Sequence, residues 1–148
     1  MFRYHEFEDI KESHKPISRE LEHPMIIRQR DRSEPFTTKD GSTIRSLLDL
    51  SNAPVNNQSL AEATLPPGTA TAPHLHPQTE EFYYVLRGEG LMRIDDDVKA
   101  VGSGDAILIP KGSSHQLKNM GTEDLVILCC CAPPYSHEDT ILTDGDSE

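Results

Sequence analysis

From Phe36 onward the chain alternates short apolar-rich runs with clusters of Gly, Pro, Asn and Asp. Thr43–Leu50, Ser59–Leu65, Thr71–His76, Glu81–Arg87, Leu91–Asp95, Val98–Val101, Ala106–Ile109, His115–Lys118 and Leu125–Cys131 have strand-like composition. Turns are predicted at Pro66-Pro67-Gly68, Gly88-Glu89-Gly90, Asp95-Asp96-Asp97, Gly102-Ser103-Gly104, Pro110-Lys111-Gly112 and Asn119-Met120-Gly121. Many short strands at near-regular spacing, with no long amphipathic helix between them, predict an all-β fold, an antiparallel barrel or sandwich. Period-two alternation puts Tyr83 and Val85 on the face of Glu81. In the run ending at Leu65 the phase stays open: either Leu60, Glu62 and Thr64 or Ala61, Ala63 and Leu65 face inward.

The flanks differ in texture. Residues 1–35 are polar and densely charged, with scattered apolar anchors at Phe7, Ile10, Leu21, Met25 and Ile26. They read as a partly ordered N-terminal arm, with a short helix around Glu6–His14 and an edge strand over Ile26–Arg30 as its candidate elements. Residues 36–134 form the barrel. Residues 135–148 are an acidic tail expected to fray. His5, His14, His23 and His137 fall in these charged flanks and are expected to face solvent.

Composition narrows the partners. At 148 residues there is room for one domain with a proper core. A formal net charge of −11 argues against nucleic acid and anionic membrane surfaces, which call for concentrated Lys and Arg. No apolar run approaches the roughly 20 residues of a membrane span, and the charged start lacks the apolar region of a secretory signal, so a cytoplasmic protein is expected. Cys129, Cys130 and Cys131 are contiguous, which fits neither a CxxC pair nor a disulfide framework. They read as small core residues of a late strand in a reducing compartment.

His74-Leu75-His76 places two imidazoles on one face of a strand, about 7 Å apart, where they can converge on one ion. Glu81 opens the next strand and His115 a later hairpin; three neutral nitrogens and one carboxylate suit a borderline divalent metal. Glu80 competes with Glu81 for the carboxylate role. The larger pattern is more specific: Gly68, five residues, His74-x-His76, four residues, Glu81, six residues, Gly88 resembles the first signature of the cupin superfamily. Gly104, five residues, Pro110-x-Gly112, two residues, His115, three residues, Asn119 resembles the second. The spacing to Gly88 selects Glu81, and Asn119 reads as a hairpin support.

This resemblance implies a double-stranded β-helix, or jelly-roll, barrel with His74, His76, Glu81 and His115 holding one divalent ion (Fe, Mn, Ni, Co, Zn or Cu). Four protein ligands leave one or two positions open, which suggests catalysis rather than structure. Expected activities are isomerase- or lyase-type Lewis-acid chemistry, or dioxygenase chemistry, on an oxygen-rich small substrate, with Tyr83 and Glu62 as candidate acid or base. A non-catalytic small-molecule-binding or sensing role is the alternative. The apolar anchors of the arm predict a homodimer, as in dimeric cupins.

Overall fold

Alternating side chains along short strands close into two facing sheets in a computed structural model, which describes residues 24–143. The strands are β1 (Phe36–Thr37), β2 (Thr43–Leu48), β3 (Ser59–Leu65), β4 (His74–Leu75), β5 (Glu80–Arg87) and β6 (Glu89–Ile94). They continue with β7 (Asp97–Gly102), β8 (Ala106–Ile109), β9 (His115–Asn119), β10 (Leu125–Ala132) and β11 (Ile141–Leu142). One sheet has the order β1-β2-β3-β10-β5-β8 and the other β11-β4-β9-β6-β7, and neighbouring strands pair antiparallel. This is the antiparallel double-stranded β-helix.

Register arranges the interior in tiers. Ser59, Cys131 and Glu81 stand opposite one another, then Ala61, Cys129 and Tyr83, then Ala63, Ile127 and Val85, and last Leu65 and Leu125. On the facing sheet His115 pairs with His74 and Ile94, followed inward by Leu117 against Met92. One end is therefore polar and the other closed by Leu65, Val85, Leu117, Leu125 and Ile127, each no more than 2% exposed. Burial of that apolar end is the main stabilising term, and it leaves the polar end to chemistry. The open phase of β3 resolves with Ala61, Ala63 and Leu65 inward.

Several boundaries differ from the sequence reading. Gly88 alone separates β5 from β6, and it is a corner between the two sheets rather than part of a three-residue turn. Its φ is +88°, and a Cβ there would lie 2.8 Å from the Asp124 carbonyl oxygen, so only glycine fits. The strand expected over Thr71–His76 shrinks to His74–Leu75, because Pro73 and Pro77 on either side have no N–H to pair. Ile26–Arg30 is not a strand; Arg30–Arg32 forms a single 3-10 turn in which Arg30 bonds Glu62. The helix expected over Glu6–His14 lies outside the described residues, as do His5, His14 and His23.

The tail is the largest departure. Rather than fraying, residues 135–143 fold back across the polar end, where β11 pairs with β4, Ile141 opposite Leu75 and Leu142 opposite His74. Thr143 N–H bonds the Pro73 carbonyl at 2.9 Å, and the Tyr135 N–H donates to Ser59 Oγ at 2.8 Å. β11 is the edge strand of its sheet, and these bonds pin the segment to β4 on one side.

Candidate metal centre

The β9 side holds both histidines of this segment: His115 stands opposite His74 of β4, and just past the strand the Gly112 N–H, in the turn before β9, donates to the His76 carbonyl at 2.8 Å. Glu81, second residue of β5, points in and is 5% exposed, whereas Glu80 faces solvent. His74, His76 and His115 are buried, with one ring nitrogen from each lying within 4.8 Å of the others, a cluster that can hold a metal ion.

Each ring is oriented by a backbone carbonyl. His74 Nδ1 bonds Ala72 O at 2.8 Å, His76 Nδ1 bonds Asp139 O at 3.2 Å, and His115 Nδ1 bonds Ser113 O at 3.2 Å. A carbonyl only accepts, so in the neutral ring Nδ1 carries the proton and Nε2 presents a lone pair. Those Nε2 atoms converge on carboxylates: Glu81 Oε2 is 3.2 Å from His76 Nε2 and 3.5 Å from His115 Nε2. Asp40 Oδ2 is 3.6 Å from His74 Nε2.

The donor set fits a divalent ion on two counts. Glu81 Oε2 and His115 Nε2 are fully buried without a hydrogen-bond partner among the described residues, a costly condition that an ion between them would relieve. Donors sharing one ion at about 2.0–2.2 Å lie roughly 3 to 3.5 Å apart in adjacent positions, which matches the carboxylate-to-imidazole spacings.

Electrostatics prepare the same atoms. Burial, then the neighbouring His115, lower the His74 pKa and keep the ring neutral. Burial also pulls on His76, but the Glu81 carboxylate beside it, with Asp139, shifts that ring upward on balance. Burial opposes the charge on Glu81, yet His115 and His76 outweigh it and hold the carboxyl at about 2. Glu81 thus stays a carboxylate, and its charge favours the protonated form of His76.

Tyr83 reaches the same cavity, its ring edge-on to His115 at a centroid distance of 6.0 Å. Burial, reinforced by the Glu81 charge, raises its phenol well above the ordinary value, so it stays protonated. Glu62 does not join the site. It lies on the opposite face of β3, where Arg30 Nε and Nη2 donate to its Oε1 at 2.9 and 2.7 Å, and its expected acid or base role is corrected on that ground. Asn119 supports the hairpin: its Nδ2 donates to Leu65 O at 2.8 Å and Glu123 O at 2.7 Å, and its Oδ1 accepts from Gly121 N–H at 2.9 Å.

Cys129 and Cys131 line the cavity, and the Cys131 thiol donates to Glu81 Oε1 at 3.4 Å. His137 is exposed, as expected. Residues the sequence reading missed are Asp40, Asp139 and Thr140. The first sits in a Thr-Lys-Asp-Gly-Ser turn and the others in the tail, and no local pattern links either segment to His74 or His76.

Comparison with known proteins agrees with this architecture. The family model described as "Cupin domain" matches residues 61–131. An uncharacterised protein of Methanocaldococcus jannaschii is 47% identical over 116 residues, covering 78% of this chain and 93% of that protein. An oxalate-binding protein of Thermotoga maritima is 33% identical over 81 residues, covering 53% of this chain and 67% of that one. Among solved structures, a predicted oxalate decarboxylase of Thermotoga maritima superposes with a TM-score of 0.63 at 25% identity, covering 73% of this chain and 98% of its own.

Proposed function

This chain belongs to the cupin family, and from that premise we propose that it is a metal-dependent enzyme in which His74, His76, Glu81 and His115 hold one divalent ion. The observation that carries the reading is a pair of buried acceptors without a hydrogen-bond partner among the described residues, Glu81 Oε2 and His115 Nε2, 3.5 Å apart. Such an ion supplies Lewis acidity toward a coordinated hydroxyl or carbonyl oxygen, for isomerase- or lyase-type steps, or a redox centre for dioxygenase chemistry. The chain's own part is to bind, orient and protonate. Tyr83, held as a neutral phenol, serves as hydrogen-bond donor or acid rather than resting base.

The cavity wall favours a substrate class. Ile44, Ala61, Ala63, Leu65 and Ile127 supply an apolar surface, and no Lys or Arg is among the described residues that line it. A dication with Glu81 and Asp40 sums to zero formal charge, so a dianion gains no net attraction there. An uncharged, largely apolar molecule that offers one or two oxygens, such as an enediol, hydroxyketone or phenol, fits better. The oxalate-binding relative favours a second reading, a non-catalytic module that binds a small oxygen ligand.

Exposed Phe82, Tyr84 and Leu108, at 51, 45 and 54%, stand on β5 and β8 on the outer face of the six-stranded sheet. We infer that a second copy covers them in a homodimer, and that the three free cysteines belong to a reducing, cytoplasmic setting.

Metal analysis of protein purified without added metal tests the site. About one ion per chain is expected, and its loss in His76→Ala; unchanged metal content in the variant would overturn the assignment. Turnover and oxygen uptake across enediols, hydroxy-acids, phenols and oxalate then sort the chemistry. Oxygen consumption that tracks substrate identifies a dioxygenase, turnover without it a lyase or isomerase, and saturable binding without product a binding module.

A further inference from the structure

The loop between β1 and β2 carries a second carboxylate to the imidazoles. Asp40 Oδ1 accepts three hydrogen bonds: from Thr38 Oγ1 at 2.6 Å, from the Ser42 N–H at 2.8 Å and from Ser42 Oγ at 2.6 Å. Those bonds fix the carboxylate plane and direct Oδ2 at His74 Nε2, 3.6 Å away. The loop is tied down on both sides. The Ala72 N–H donates to Asp40 O at 2.6 Å, two residues before His74, and Lys39 Nζ donates to Thr140 O at 2.8 Å. The Asp40 side chain is only 12% exposed.

Two electron pairs face each other here. The His74 proton is committed through Nδ1 to Ala72 O, so Nε2 and Oδ2 are both acceptors, and at this distance they repel unless a cation lies between them. Glu81 Oε2 stands in the same relation to His115 Nε2, at 3.5 Å. Resting on the site proposed above, we propose that Asp40, through Oδ2, is a fifth protein ligand of the same ion. A fifth donor leaves about one position on a six-coordinate ion, so a chelating substrate must displace Asp40. It also couples the 38–42 loop to metal occupancy.

Cobalt(II) titrated into the full-length protein provides the test, with affinity from competition against a chromophoric chelator and coordination from the visible absorption of the saturated protein. Asp40→Asn keeps an oxygen for the loop's three donors and removes the charged donor. Its affinity should fall by about tenfold or more, with a change in band intensity as the coordination number drops. Were Asp40 only the partner of a protonated His74, the substitution would leave affinity unchanged or raise it, and the proposal would be overturned. An unchanged spectrum per bound ion would overturn it as well; that readout holds even if the variant is less stable. His76→Ala separates the two levels. Cobalt retained there defeats the four-ligand site itself, whereas cobalt lost there but held normally by Asp40→Asn defeats only the role of Asp40.

Discussion

His76 depends on atoms outside any ligand set, since its tautomer is set by the Asp139 carbonyl and its proton is favoured by Glu81. Metal and proton compete for its Nε2. The folded pKa of His76 lies above 6.5, so below that raised value each pH unit should weaken metal binding about tenfold, and above it affinity should level off. Calorimetric titration from pH 5.5 to 8.5 checks this; a break below 6.5 would mean Glu81 does not pair with the ring. Glu81→Gln should lower affinity at least roughly tenfold while Glu80→Gln leaves it unchanged, because only Glu81 is buried beside the imidazoles. Asn119→Ala strands the Leu65 and Glu123 carbonyls and the Gly121 N–H, at a cost of about 2–4 kcal/mol by urea unfolding. The same buried acids and imidazoles were legible in sequence order only because Gly68, Gly88 and Gly104 space them; Glu62 was not, since alternation alone does not say which face of β3 is inside.

At the scale of elements, the tail and the corners decide how tightly the site is held. β11 covers β4, and Asp139 accepts from the Gln78 N–H at 3.0 Å and the Thr79 N–H at 3.0 Å, fixing the turn between His76 and Glu81. Deleting residues 135–148 should leave the barrel folded by circular dichroism yet lower metal affinity about 10- to 100-fold, as loss of a ligand's supporting bond does elsewhere. Full affinity in the truncated chain would show the tail to be mere covering. Gly88→Ala places a Cβ against the Asp124 carbonyl at a positive φ, and a loss of more than about 1 kcal/mol is expected in the same urea assay. Strands such as β5 and β10 were readable because each is a short run of strand-forming residues bounded by turn residues, although neither alternates apolar with polar in sequence. β4 was overextended because its two prolines limit pairing more than its composition suggests.

For the whole molecule, the outer face of the six-stranded sheet predicts assembly: light scattering should give a dimer mass, and Phe82→Ser with Leu108→Ser should shift it to a monomer while the metal site stays intact. A monomeric parent would remove the case for that face. What the sequence by itself determined was the all-β class and the near-regular strand spacing, because turns demand particular residues between short strand-forming runs; the candidate ligands His74, His76, Glu81 and His115 came from the resemblance to the two cupin signatures. Tertiary structure alone decided which side of β3 faces the cavity, that residues 135–143 close the polar end, and that Asp40 reaches His74. Those facts rest on contacts between segments far apart in the chain. Their strength comes from the distance and direction of a hydrogen bond or charge, and no local periodicity records either.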